Sequence, residues 1–168
     1  MHAEILAAFL DAVRQVLSET GVEIESIVPE EDRDTDDQVI TSIGLTGGVR
    51  GIFILRTDTS SARNIIRAML GEVRIALGGE GLDRIQMAAL GELSNQICGR
   101  AITLLSENTA HCDITPPAVV AAQGMKSLVP DALSSSRREV RGPFGRISLF
   151  LGVQEGPRKR RRRKEKNG

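Results

Sequence analysis

A long segment in the second half of the chain predicts an amphipathic helix. Between Leu82 and about Glu107, apolar residues recur every three or four positions, which is the period of an α-helix. The residues that share the apolar face are Leu90, Leu93, Ile97, Ala101 and Leu104. This face needs a second layer of structure to cover it.

The opposite face of this helix is unusual in the residues that it carries. Glu92 and Asn95 are three positions apart and are therefore neighbours on the helix surface. Above and below them on the same face are Ala88 and Gly99, where an exposed helix normally has long polar residues. A glycine inside a helix costs roughly 1 kcal/mol relative to alanine. This face therefore suits the close approach of another macromolecule, although an ordinary solvated helix face is the alternative.

The pattern of the whole chain predicts three helices and about six strands. The other helices cover residues 3–19, ending at Gly21, and about 60–70, with Thr59 or Ser60 as the N-cap and Gly71 as the stop. The predicted strands are 22–28, 39–45, 49–55, 114–122, 137–141 and 146–153, and residues 131–136 are expected to form a loop. Most of the connections are of the hairpin type. The fold class is therefore α+β, an α/β sandwich with long helices packed on a largely antiparallel mixed sheet.

Composition excludes several classes of function. The chain has 168 residues, 40% apolar and 26% charged, which fits one globular domain over residues 1–155. It has no Trp or Tyr and four Phe, so recognition of single-stranded nucleic acid by base stacking is not expected. No apolar run approaches the roughly 18 residues of a membrane span, and the N-terminus lacks the basic region of a secretory signal. We therefore expect a cytoplasmic protein.

The basic residues are concentrated at the C-terminus. Residues 158–168 hold eight of the 22 Lys and Arg side chains and one acidic residue, which leaves the preceding domain with a net charge of −7. Residues 156–168 are predicted to be a disordered basic tail. The tail could bind nucleic acid or an anionic membrane surface, steer an acidic partner, or only raise solubility.

Common catalytic and metal-binding patterns are absent. His2 and His111 have no motif around them, and Cys98 and Cys112 lack the spacing of a metal or redox site, so both thiols are expected to be core residues. Four clustered aspartates are of the type that a calcium-binding loop uses: Asp32, Asp34, Asp36 and Asp37. The glycine and glutamate of an EF-hand are missing there, and a solvated loop is expected.

Four segments in order resemble the CheX-like proteins of the CheC/CheX/FliY chemotaxis phosphatase family. The main one is the E-x-x-N helix, residues 91–99. The others are the glycine-containing hairpin strand Gly48–Leu55, the helix end Met69–Glu72 and the Pro-Pro strand Ile114–Val120. The resemblance as a whole extends over roughly residues 3–155. The resemblance therefore implies a CheC/CheX-like fold.

The resemblance also implies a reaction, which is hydrolysis of the aspartyl phosphate on a CheY-type response-regulator receiver domain. The site helix would insert into the receiver's active site. Asn95 would orient the attacking water, and Glu92 would pair with the receiver's lysine. The receiver would supply Mg²⁺, so the protein needs no cofactor of its own. The first half of the chain has no second E-x-x-N motif, which implies one site and a homodimer, as in the CheX branch.

The chemistry is consistent with this role. An acyl phosphate is already activated, so in-line attack by water needs positioning more than a strong base. A carboxamide offers both a donor and an acceptor and is uncharged, which suits Asn95 to that task. The alternative is a non-catalytic module of the same fold that binds a receiver or a component of the flagellar switch. A nucleic-acid-associated scaffold is less consistent with the acidic domain.

Overall fold

The computed structural model describes residues 2–30, 39–71, 81–106, 111–122 and 134–156. Its three helices are α1 (His2–Glu19), α2 (Thr59–Leu70) and α3 (Arg84–Ser106). Its strands are β1 (Ser26–Pro29), β2 (Val39–Gly47), β3 (Val49–Thr57), β4 (Cys112–Ile114), β5 (Ala118–Ala121), β6 (Ser134–Gly142) and β7 (Gly145–Glu155). The predictions for the loop that carries Asp32, Asp34, Asp36 and Asp37 and for the tail beyond Gly156 lie outside the described residues.

The described strands form one antiparallel sheet. The order is β1-β6-β7-β3-β2, and both β4 and β5 pair with the remaining edge of β2. The predicted hairpin is present, because β2 and β3 pair with Leu45 opposite Gly51 and are separated by Gly48 alone. The predicted α+β class with a largely antiparallel sheet is therefore confirmed.

The core lies between the sheet and the helices. Strand β2 alternates as predicted, with buried Val39, Thr41, Ile43 and Leu45 separated by half-buried positions. Helices α1 and α3 pack against each other and against this face, and the Phe9 ring of α1 lies 5.4 Å from the ring of Phe53 in β3. No helix in the described ranges has the length and apolar character that crossing a membrane requires.

The predicted boundaries were wrong in three strands. The strand expected over residues 114–122 is two strands, because Pro116 and Pro117 have no N–H to donate to the β2 ladder. The loop expected up to Ser136 instead belongs to β6 from Ser134 onward, where it pairs with β7. The first strand begins only at Ser26, because the chain must first leave α1 and reach the sheet edge beside β6.

The N-cap predicted for α2 was also wrong. Asp58 caps this helix, and its carboxylate accepts hydrogen bonds from the backbone N–H of Ser61 at 2.8 Å and from the Ser61 hydroxyl at 2.7 Å. Partial burial raises the pKa of Asp58. These hydrogen bonds and the charge of Arg146 outweigh that effect and hold the pKa below its usual value. The predicted stop is correct, since Gly71 ends α2 with φ +78°.

One residue predicted for the apolar face of α3 does not lie in the core. Leu104 is 37% exposed, whereas Leu105 is 6% exposed and continues the buried face. Leu105 follows Ala101 by four positions, and at this end of the helix that step remains over the core.

Candidate functional site

Helix α3 carries the predicted site, and its first turn is held by reciprocal hydrogen bonds. The Asp83 carboxylate accepts from the backbone N–H of Gln86 at 2.8 Å, and the Gln86 side-chain oxygen accepts from the N–H of Asp83 at 3.0 Å. This capping box satisfies backbone donors that a helix start otherwise leaves unpaired. The helix therefore has an ordered beginning two turns before Glu92.

The buried side of α3 is attached to the sheet by both packing and a polar contact. The residues on this side are Leu90, Gly91, Leu93, Ser94, Ile97, Cys98, Ala101 and Leu105. The Ser94 and Thr41 hydroxyls hydrogen-bond to each other, and both residues are fully buried. Because a hydrogen bond restricts direction as well as distance, this contact limits rotation and sliding of α3 on β2.

One flank of the helix is closed by β5 and by the Pro117 ring just before it. A Cβ added at Gly91 would lie 3.1 Å from a Val119 methyl and 3.5 Å from the Pro117 ring. The first of these distances is shorter than an ordinary van der Waals contact, so a side chain here would have to displace Val119. Gly91 therefore permits close packing of α3 against β5.

The other flank is closed by α1. The Arg100 guanidinium donates to the Gln15 side chain at 2.9 Å and pairs with the Glu19 carboxylate at 3.0 Å. The two helices also share apolar core contacts. Helix α3 is therefore held from below and from both sides.

The face that remains open contains the four residues predicted for the partner-binding surface. Ala88 and Glu92 are exposed, and Asn95 and Gly99 are half-buried. A Cβ added at Gly99 would meet no atom of the described residues within 4 Å, so these residues leave the space above this glycine open. The structure thus places Ala88, Glu92, Asn95 and Gly99 on one surface of a fixed helix. We refer to these four residues as the site face.

The two polar side chains of the site face differ in their surroundings. The Gln96 amide donates to the Glu92 carboxylate at 3.1 Å, which leaves the second carboxylate oxygen open to a cation or another donor. Within the described part of the chain, no side-chain hydrogen bond of Asn95 is found. Its amide is consequently available to a water molecule or a ligand in the open space beside it.

Two other chemistries lack support near the site face. Cys98 is fully buried and does not open onto the site face, and burial raises the pKa of its thiol, so it is unsuited to act as a nucleophile. The described residues contain no group of three or more His, Cys, Asp or Glu side chains that could hold a metal ion. A cleft of about 710 Å³ beside the end of α1 is lined by Arg14, Ser18 and residues 21–27, and it does not include Glu92 or Asn95.

The site face is therefore an open, gently convex surface with one carboxylate and one carboxamide. A small molecule is normally enclosed in a concave pocket that covers most of its surface. A convex helix suits a ligand that brings its own pocket, such as another protein.

Comparison with known proteins identifies the family. The family model described as "Chemotaxis phosphatase CheX" matches residues 39–138. A protein of Thermotoga maritima named CheY-P phosphatase CheX is 30% identical over 129 residues, which cover 75% of this chain and 81% of the relative. The chain belongs to the CheX family of chemotaxis phosphatases. The matched region begins with β2 and includes all of α3, so the predicted resemblance and the phosphatase class are confirmed.

Solved structures of CheX proteins share the fold. CheX from Vibrio vulnificus superimposes with a TM-score of 0.76 at 22% identity, covering 90% of this chain and 99% of that one. The CheX chain in a CheX–CheY–BeF3–Mg²⁺ complex from Borrelia burgdorferi superimposes with a TM-score of 0.72 at 23% identity, covering 89% and 97%. At these identities the likeness concerns the architecture alone.

Sequence reasoning missed two groups that hold the site. The contact between Ser94 and Thr41 had a detectable signal, because Thr41 is an inward position of an alternating strand and Ser94 adjoins the apolar face of α3. The capping box of Asp83 and Gln86 also had a signal, since an N-cap residue followed three positions later by Glu or Gln marks a helix start.

Proposed function

We propose that this CheX-family protein hydrolyses the aspartyl phosphate of a CheY-type receiver domain, with the site face of α3 entering the receiver's active site. In this proposal Asn95 orients the attacking water and Glu92 pairs with the receiver's active-site lysine. The observation that supports it most directly is an unobstructed Glu92–Asn95 pair on a helix that is held from below and from both flanks. The name of the Thermotoga relative and the complex formed by the Borrelia relative agree with this assignment.

The position of Asn95 suits a water-orienting role. Its amide can accept a hydrogen bond from water and donate one to a phosphoryl oxygen, and it adds no negative charge near the anion. The phosphoryl group is already activated as an acyl phosphate, so the rate depends mainly on holding the water in line with the bond that breaks. A helix whose rotation on the sheet is restricted provides that alignment with little further rearrangement.

The position of Glu92 suits a docking role. An exposed carboxylate beside a phosphoryl group would repel it unless the partner supplies a cation between or beside them. Pairing with the receiver's lysine provides that cation, and Gln96 holds the carboxylate in place. Mg²⁺ is assigned to the receiver, so the protein contributes no cofactor of its own to the reaction.

The test is the half-life of phosphoryl-aspartate on a Mg²⁺-loaded CheY-type receiver from the same organism. The receiver is followed alone, with wild-type protein, and with the Asn95→Ala or Glu92→Gln variant. We expect faster decay with wild type and loss of the acceleration in Asn95→Ala by on the order of 10²–10³-fold. Glu92→Gln should raise the concentration of protein needed for half-maximal acceleration, because it removes the charge that pairs with lysine.

The controls separate the site from general damage. Glu23→Gln removes one exposed carboxylate charge beside α1, away from the site face. With this variant, the phosphoryl-aspartate of the receiver should have the same half-life as with the wild-type protein. All variants should unfold at the wild-type temperature, because Glu92, Asn95 and Glu23 lie outside the apolar core. Unchanged phosphate decay with wild-type protein, across the CheY-type receivers of the organism, would leave the alternative of a non-catalytic receiver-binding module.

Assembly and location are parts of the same proposal. We assign a homodimer and a cytoplasmic location on the basis of the family resemblance, and light scattering of the purified protein tests the former.

Contact of the basic residues after Gly156 with anionic surfaces is also proposed, because eight cations over 11 residues attract such surfaces at low salt.

A further inference from the structure

Ile85 is the most exposed large hydrophobic side chain in the described residues, at 59% of its full exposure. A single exposed isoleucine is ordinary on a protein surface. Its position gives it significance, because it lies three residues before Ala88 and seven before Glu92 on the same side of α3. At about 1.5 Å per residue, Ile85 is roughly 10 Å from Glu92 along the helix axis.

An interface of standard size, centred on the site face, is large enough to include Ile85. A standard protein–protein interface buries about 800 Å² on each partner, and a disc of that area has a radius of roughly 16 Å. A receiver centred on Glu92 and Asn95 therefore covers the first turn of α3. Two polar side chains alone make a weak centre for such an interface, since each must lose its hydration before it can pair with the partner.

The local structure holds Ile85 ready for such a contact. It lies between Asp83 and Gln86, whose reciprocal hydrogen bonds fix the first turn of the helix. Gln86 itself is only 3% exposed, so the turn is anchored in the domain while Ile85 faces outward. An apolar side chain on an ordered turn loses little conformational freedom when it is buried by a partner.

We infer that Ile85 is an apolar docking residue that packs against a hydrophobic patch of the receiver beside its phosphorylation pocket, and that it contributes to the choice of receiver. This inference rests on the proposed function, because the receiver is the occupant of the site face. Ile85 supplies affinity and does not take part in the reaction. The receivers that fit have an apolar residue about 10 Å from the lysine that meets Glu92.

The test measures binding and rate with the Ile85→Gln variant, which keeps a good helix former at the position. The matched control is Leu104→Gln, on the same helix, where Leu104 is 37% exposed but lies about 120° around the axis from Glu92. The phosphorylated, Mg²⁺-loaded CheY-type receivers of the organism are titrated in turn with each protein. We expect Ile85→Gln to weaken binding by about tenfold and to leave the maximal rate of phosphate loss unchanged, whereas Leu104→Gln changes neither.

The outcomes separate this inference from the proposed function. Wild-type affinity in Ile85→Gln, together with loss of the rate in Asn95→Ala, would overturn the role of Ile85 and leave the phosphatase standing. Weaker binding of the receiver by Ile85→Gln, together with no acceleration of phosphate loss by the wild-type protein, would support the docking role and overturn the proposed phosphatase activity. A changed oligomeric state in Ile85→Gln would assign the residue to contact between copies of this chain, which also overturns the inference. Absence of binding by wild type would overturn both proposals.

Discussion

Gly91 and Gly99 are eight residues apart in the same helix and have opposite surroundings. A Cβ at Gly91 would lie within 3.1 Å of Val119, whereas a Cβ at Gly99 would meet nothing within 4 Å. Each glycine costs the helix roughly 1 kcal/mol relative to alanine. At Gly91 that cost is offset inside the domain by close packing. At Gly99 no contact within the described structure offsets it, which is understandable if the benefit arises only when a partner docks.

The same division applies to the neighbours of each glycine. Around Gly91, the buried side of α3 is held by Leu93 and by the contact of Ser94 with Thr41. Around Gly99, the open side presents Asn95 without a hydrogen bond from any described side chain. Substitutions on the buried side should therefore change the free energy of unfolding, and those on the open side should change the reaction.

The largest change in stability is expected from Leu93→Ala. Leu93 is fully buried, so the substitution removes apolar contacts and leaves a cavity, and the free energy of unfolding should fall by about 2–5 kcal/mol. Chemical denaturation measures this change. The protein that remains folded should keep the wild-type rate of phosphate hydrolysis.

Leu104→Ala is the matched control for that substitution. The residue type and the helix are the same, but Leu104 is 37% exposed and should cost much less. Equal losses at the two positions would contradict the placement of Leu93 in the core and of Leu104 at the surface.

A smaller change is expected when the polar contact beneath the helix is broken. Ser94→Ala leaves the buried Thr41 hydroxyl without its partner, which should lower the free energy of unfolding by about 1–3 kcal/mol. Replacing both residues, as Ser94→Ala with Thr41→Val, removes both polar groups and should recover part of the loss. Thermal or chemical unfolding of Ser94→Ala, Thr41→Val and the double variant measures the effect, and additive losses in the double variant would show that the two hydroxyls act independently.

The helices and the hairpin could be predicted from periodicity because each of these elements buries one face against the core, and this burial sets the spacing of its apolar residues. The alternation of Val39, Thr41, Ile43 and Leu45 and the repeat of Leu90, Leu93 and Ile97 both match the structure. Strand boundaries could not be predicted equally well. Ser134 belongs to a strand only because β7 lies beside it and Val153 pairs with it. Cys112 belongs to a strand only because it reaches the edge of β2 and pairs with Gly47.

The site face was partly predictable for the same reason. Helical geometry alone places Glu92 beside Asn95, and the structure shows that no described element covers them. Periodicity directs Thr41 inward and places Ser94 beside the apolar face of α3, but it could not show that the two hydroxyls meet, since the residues are 53 apart in sequence. The E-x-x-N motif specifies the chemistry, whereas contacts distant in sequence determine how firmly it is presented.

The smallest effects are expected at the two glycines themselves. Gly99→Ala adds a methyl group in empty space and improves helix propensity, so the free energy of unfolding should rise by about 0.5–1 kcal/mol. Gly91→Ala has the same gain in propensity. Its methyl group must displace Val119, whose backbone is paired with Thr41 of β2, and it also approaches the Pro117 ring, so this variant should be less stable than Gly99→Ala. Denaturation of both proteins under one condition measures the difference.

Activity provides the decisive half of this experiment. If the space above Gly99 serves the receiver, the alanine that stabilises the free protein should also raise the receiver concentration needed for half-maximal phosphate loss. A gain in stability together with a loss in binding cannot come from general damage to the fold. Unchanged binding in Gly99→Ala would instead mean that the receiver does not closely approach this part of α3, and the site face would end at Asn95.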